Sequence, residues 1–177
     1  MRSEEEEMSI GVRVPPRLGV DVGGVIMDKH NDGTDTSFFT DNYLATTATP
    51  GALEALERLV KHFRPENVFI VSKCGKTTEK KTLDWFEHHN VYARTGLERD
   101  AVFFVRKREE KAPVCAKLGV THFIDDKLEV LSYLVTVPTR ILFCPDEREV
   151  ERFAEHKSRV TIVKTWADVL ATFGVTS

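Results

Sequence analysis

Residues 18–26 read Leu18-Gly19-Val20-Asp21-Val22-Gly23-Gly24-Val25-Ile26. An apolar run of strand length ends on a carboxylate, turns through two glycines and becomes apolar again. Glycine supplies the backbone freedom of a tight strand-to-helix turn, and on its own the stretch says no more than that. Its meaning depends on the rest of the chain. Further short runs rich in Val, Ile and Phe occur at Val68 to Val71, Val102 to Val105, His122 to Ile124, Ile141 to Phe143 and Val160 to Val163. Between them lie amphipathic stretches. Pro50-Gly51 opens one in which Leu53, Leu56, Leu59, Val60 and Phe63 recur at helical spacing, and Pro near a helix start is favourable because its missing N–H has no partner there anyway. Others span Thr77 to His89 and Val114 to Leu118, the latter stopped by Gly119. Asp126 is the expected N-cap of Lys127 to Leu134, and Thr165 that of a closing helix through Phe173. Short strands alternating with helices predict an α/β fold of β-α units around a parallel sheet.

The chain has 177 residues, room for one domain at about 150 residues per domain. With 41% hydrophobic and 30% charged residues it has an ordinary globular composition. A net charge of −3 gives no global basic field, so neither a nucleic-acid coat nor a membrane-surface protein is indicated. No apolar run approaches the roughly 20 residues that span a bilayer. Cys74, Cys115 and Cys144 are an odd number at wide spacing, which suits neither a disulfide framework nor a zinc knuckle and fits a reducing, cytoplasmic setting. Residues 1–14, with four consecutive glutamates, read as a solvated tail, leaving residues 15–177 as the domain. The one long stretch without periodicity is residues 28–49. A loop of about 20 residues in a compact domain suggests a flap over a site.

In an open parallel sheet, ligands bind beyond the carboxyl ends of the strands. The first strand is followed by Asp21, Gly23 and Gly24, and the second by Ser72 and Lys73. Arg106, Lys107, Arg108 and Lys111 follow the third, and Asp125 and Asp126 the fourth. Ser72 reads equally well as a helix cap, and Lys111 alone as a surface lysine. Two adjacent carboxylates at a strand end are harder to account for, because they repel unless a cation neutralises them. The cations after the second and third strands, Lys73, Lys76, Lys80 and Lys81 among them, could form a positive rim that attracts an anion, or be ordinary solvated helix charges. The six histidines show no metal-ligand spacing.

A carboxylate after the first strand, a hydroxyl after the second, Lys111-Ala112-Pro113 before a helix and His122-Phe123-Ile124-Asp125-Asp126 at the fourth strand together resemble the haloacid dehalogenase (HAD) superfamily of phosphohydrolases. The resemblance covers about a hundred residues. It implies a three-layer Rossmann-like parallel sheet with the first strand central, flanked by the second and the fourth, so that Asp21 and Asp125 become neighbours. It further implies Mg²⁺ held by Asp21, the Gly23 carbonyl, Asp125 and Asp126. Asp21 would be the nucleophile, with Ser72 and Lys111 as its catalytic partners. Gly23, Gly24, Ser72, Lys73 and Lys111 would surround the phosphoryl group.

One departure stands out: the usual second Asp, two residues after the nucleophile, is Gly23 here. General acid-base help of that kind is worth about 10²–10⁴-fold in rate. Asp28, Asp32 or Asp35 in the flap could replace it, or a good leaving group could make it unnecessary. The alternative is a catalytically weak HAD-like domain that binds phosphorylated ligands or acts as a regulatory module. Dehalogenase chemistry fits less well, because the acidic pair and Lys111 imply metal and phosphate. A phospho-accepting receiver domain fits poorly, since its acidic pair follows the first strand. No stretch is long enough for a separate cap domain. An open site of this kind suits a phosphorylated small molecule or a bulkier phosphoester, or closure by a second copy of the chain.

Overall fold

A computed structural model describes residues 13–29 and 40–175. Most of the expected tail and the flap candidates Asp32 and Asp35 lie outside the described residues. Six strands form one parallel sheet: β1 (Leu18–Val20), β2 (Val68–Lys73), β3 (Val102–Val105), β4 (His122–Asp125), β5 (Thr139–Phe143) and β6 (Thr161–Val163). Their order is β3-β2-β1-β4-β5-β6, with β1 central between β2 and β4 as expected. Register ties the three together: Val20 lies opposite Ile70 on one side and Ile124 on the other.

Among the described residues seven α-helices flank the sheet: α1 (Ala52–Phe63), α2 (Lys76–His88), α3 (Val91–Thr95), α4 (Lys111–Leu118), α5 (Leu128–Tyr133), α6 (Glu147–Arg152) and α7 (Trp166–Thr172). Strand side chains alternate between faces, and the core divides accordingly. Leu18, Val20, Ile70, Ile124, Ile141 and Phe143 join the buried faces of α1, α2, α3 and α7 in one cluster. Val71, Phe123 and Leu142 join residues of α4 and α5 in the other. Three layers result. In α1, Leu53, Leu56, Leu59, Val60 and Phe63 are all buried, each contributing roughly 1.5–3 kcal/mol of transfer free energy.

The capping expectations divide. Thr165 caps α7, its hydroxyl accepting from the Asp168 N–H, and Gly119 ends α4 in the left-handed region at φ 65°. Asp126 does not cap α5. The first N–H groups of that helix, at Leu128 and Glu129, donate at 3.0 and 2.8 Å to the carboxylate of Glu149, which arrives from α6. A cap supplied across space frees Asp126 for another role. Helices α3 and α6 leave no mark in the sequence periodicity, being one or two turns long with too few apolar positions to show a period.

Candidate active site

The carboxyl edge of the sheet is built by short-range geometry. Asp21 extends the central ladder by one residue, its N–H donating to the Ile124 carbonyl at 3.0 Å. The chain then turns so sharply that the N–H groups of Val25, Ile26 and Met27 all reach the Val22 carbonyl, at 3.2, 2.9 and 3.0 Å. Gly24 makes this turn with φ of 74°, and a Cβ placed there would stand 2.6 Å from Asp126 Oδ2. Both the backbone conformation and the close approach require glycine. Gly23 is different, because a Cβ built on it meets nothing within 4 Å.

Lys111 is the first residue of α4. The turn that delivers it is pinned by Glu110, whose carboxylate accepts the Arg106 and Lys107 N–H groups at 2.9 and 3.0 Å. Its ammonium, only 2% exposed, donates to Asp21 Oδ1 and Asp125 Oδ2, both at 2.8 Å. The remaining Asp125 oxygen accepts the Lys127 N–H at 3.0 Å. Asp126 pairs with Lys29 at 2.6 Å. Asp21, Asp125 and Asp126 are all buried, and each offers a carboxylate oxygen within 4.8 Å of those of the other two.

Three buried carboxylates thus face two ammonium groups, and their proton affinities register the imbalance. Burial, opposed by Lys111 and reinforced by the charge of Asp126, holds Asp21 above the usual carboxylate range. Burial and then the charge of Asp21 push Asp125 up to about 8, despite Lys111. Burial favours a neutral amine at Lys111, yet Asp125 and Asp21 outweigh it and keep its pKa above the ordinary lysine value. Asp126 does the same for Lys29 against partial burial. Such a cluster suits a hard divalent cation, which takes oxygen ligands and would relieve the carboxylate repulsion.

Of the sequence candidates, Asp21, Lys111, Asp125 and Asp126 converge directly. Ser72 is buried in β2 and lies opposite Phe104 in the ladder. It caps no helix, since Gly75 occupies the N-cap of α2. Lys73 ends the same strand and is exposed. The basic rim is thinner than the sequence suggests. Arg106 binds the Cys74 carbonyl at 2.7 Å and Glu79 at 2.6 Å, Arg108 binds Glu129, and Lys80 binds Asp84. The residue that sequence reasoning missed is Lys29. Its only signal is position, one residue past Asp28 at the start of an aperiodic segment.

No protein-family profile matches the chain, and no curated protein matches it by sequence. Among solved structures, it is similar to a Vibrio cholerae protein provisionally assigned as a 3-deoxy-D-manno-octulosonate 8-phosphate phosphatase. Identity is 15%, the TM-score is 0.51, and the match covers 92% of this chain and 88% of the other. The HAD domain of the effector Lem4 from Legionella pneumophila matches at 14% identity and a TM-score of 0.47, covering 91% and 94% of the two chains. The Vibrio cholerae likeness is one of fold, a three-layer α/β Rossmann-like parallel sheet. No helix among the described residues is long and apolar enough to cross a membrane.

Proposed function

We propose that the chain is a phosphohydrolase of the HAD superfamily that cleaves phosphomonoesters through an aspartyl-phosphate on Asp21. The observation that carries this reading is the Lys111 ammonium shared between Asp21 and Asp125, with Asp126 completing the carboxylate cluster. Asp21, the Gly23 carbonyl, Asp125 and Asp126 would hold Mg²⁺, which when bound neutralises phosphoryl oxygens and the charge that develops on them.

A carboxylate oxygen of Asp21 attacks phosphorus in line. The new O–P bond forms as the bond to the leaving oxygen breaks, and that oxygen takes a proton from solvent water. Water then attacks the phosphorus of the acyl phosphate, giving inorganic phosphate and restoring the Asp21 carboxylate. Lys111, anchored by Asp125, holds Asp21 in place and stabilises phosphoryl oxygens. Ser72 and the exposed Lys73, at the end of the neighbouring strand, contribute further donors to the phosphate. Burial of the carboxylates keeps water from competing for them.

A second reading, a phosphate-binding domain with little turnover, is favoured by Gly23, which supplies no acid or base beside the nucleophile. The test is a panel of phosphomonoesters assayed with and without Mg²⁺ on wild type and Asp21→Asn. Mg²⁺-dependent turnover that the variant loses supports the phosphohydrolase. Turnover that survives in the variant removes Asp21 from its role. Phosphate binding without turnover favours the second reading.

A further inference from the structure

A cavity of about 290 Å³ opens beside the carboxylate cluster, between the β1 turn and the ends of β5 and β6. Gly24 and Lys29 form the wall it shares with the cluster, through the contact of each with Asp126. Pro50 and Phe143 supply apolar surface, and Lys164 also lines the cavity. Lys29, whose ammonium also pairs with Asp126, and Lys164 line the cavity together with Asp28, in a space just under the roughly 300–1,000 Å³ of small-molecule sites.

Resting on the phosphohydrolase reading, we propose that this cavity receives the leaving group of the substrate, and that the leaving group carries a second oxyanion held by Lys29 and Lys164. The substrate is then a small organic phosphate with an additional carboxylate or phosphate. With the cavity beside the cluster and Gly24 at their boundary, the two charges of such a molecule fall to two different sets of cations. Lys111 and Ser72 take the scissile phosphoryl group; Lys29 and Lys164 take the other end. The apolar walls at Pro50 and Phe143 fit the carbon skeleton between them. In a domain without a separate cap, this gives the chain its own means of choosing a substrate.

Three compounds on one glycerol skeleton test the idea: glycerol 3-phosphate, with a neutral alcohol; 3-phosphoglycerate, with a carboxylate; and 2,3-bisphosphoglycerate, with a carboxylate and a second phosphate. Wild type is expected to favour the two acidic compounds in kcat/KM, and their ranking separates carboxylate from phosphate recognition. Lys164→Met should lower kcat/KM for the preferred acid about fivefold, chiefly through KM, the effect of one exposed charge. Lys164→Glu should lower it further, and both should leave glycerol 3-phosphate unchanged. Equal turnover of the three by wild type, or an equal loss on all three in the variants, overturns the proposal.

If nothing is hydrolysed, the phosphohydrolase reading has failed, and the cavity is read separately through Cys144. This thiol lines the cavity and is exposed, whereas Cys74 and Cys115 are buried. Under the proposal, 3-phosphoglycerate slows alkylation of Cys144 by iodoacetamide in wild type more than glycerol 3-phosphate does, and Lys164→Glu removes the difference. Equal protection by the two compounds overturns the proposal.

Discussion

Removing the Lys111 ammonium gives the sharpest test of the site's electrostatics, because it leaves Asp21 and Asp125 facing one another in the interior. Lys111→Met keeps much of the volume and deletes the charge. Breaking a buried pair by removing one partner costs about 3–5 kcal/mol, because the other charge stays behind unpaired. The Asp125 side chain is 1% exposed and that of Asp21 11%, so a loss within that range is expected. At about 2–4 °C per kcal/mol for a domain of this size, the melting temperature should fall by roughly 6–20 °C.

The pH dependence has a definite sign. A raised carboxylate pKa is a cost that grows as pH rises from the unfolded value toward the folded one, about 8 for Asp125. Lys111, with a folded pKa above its unfolded value, stabilises fully throughout this range and loses its effect only in strong alkali. Without it the carboxylates protonate more readily, so the variant's deficit should be large at pH 8 and smaller at pH 5. Urea unfolding of both proteins in EDTA at the two pH values measures this, and Asp125→Asn added to the variant should restore part of the loss. A deficit below about 1 kcal/mol, a size ordinary for an exposed pair, would refute the reasoning. So would a deficit equal at both pH values.

Gly23→Asp fills open space and supplies the missing acid, so it should fold normally and speed hydrolysis of alkyl phosphates by up to about 10²-fold, while 4-nitrophenyl phosphate, whose leaving group needs no proton, changes little; steady-state rates on the two substrates decide. Gly24→Ala forces a Cβ to a left-handed position against Asp126, which should cost about 1–2 kcal/mol in backbone strain alone and weaken the thermal stabilisation given by added Mg²⁺. An unchanged melting temperature with and without Mg²⁺ would count against the geometry. His122, half-buried between the rings of Phe63 and Phe173, has its pKa lowered first by burial and then by His62. Its contribution to stability is complete above about pH 6.5 and lost as pH falls through the lowered folded value. This loss runs against the gain from Asp125 over the same interval, so on going from pH 7.5 to 5.5 the urea midpoint should change more favourably in His122→Gln than in wild type.

Much of this molecule is legible in one dimension. The Val, Ile and Phe runs mark the strands because a strand buried on both faces must be apolar throughout. The period in α1 marks its buried stripe, and a carboxylate, a serine, a lysine and an acidic pair at successive strand ends mark the edge where chemistry gathers. Those signals are local, set by how each segment meets the core. The choices that sequence could not make are about charge balance across space. Asp126 sits where a helix cap is expected, yet α5 takes its cap from Glu149 and Asp126 pairs with Lys29. Arg106 and Arg108 look like a substrate-steering rim, yet each is bound to a carboxylate of another element. Lys29 carries no motif and joins the site only because the turn at Gly24 brings it back against Asp126. Which ammonium meets which carboxylate depends on distances of a few ångströms between segments about a hundred residues apart, and only the packed sheet fixes those.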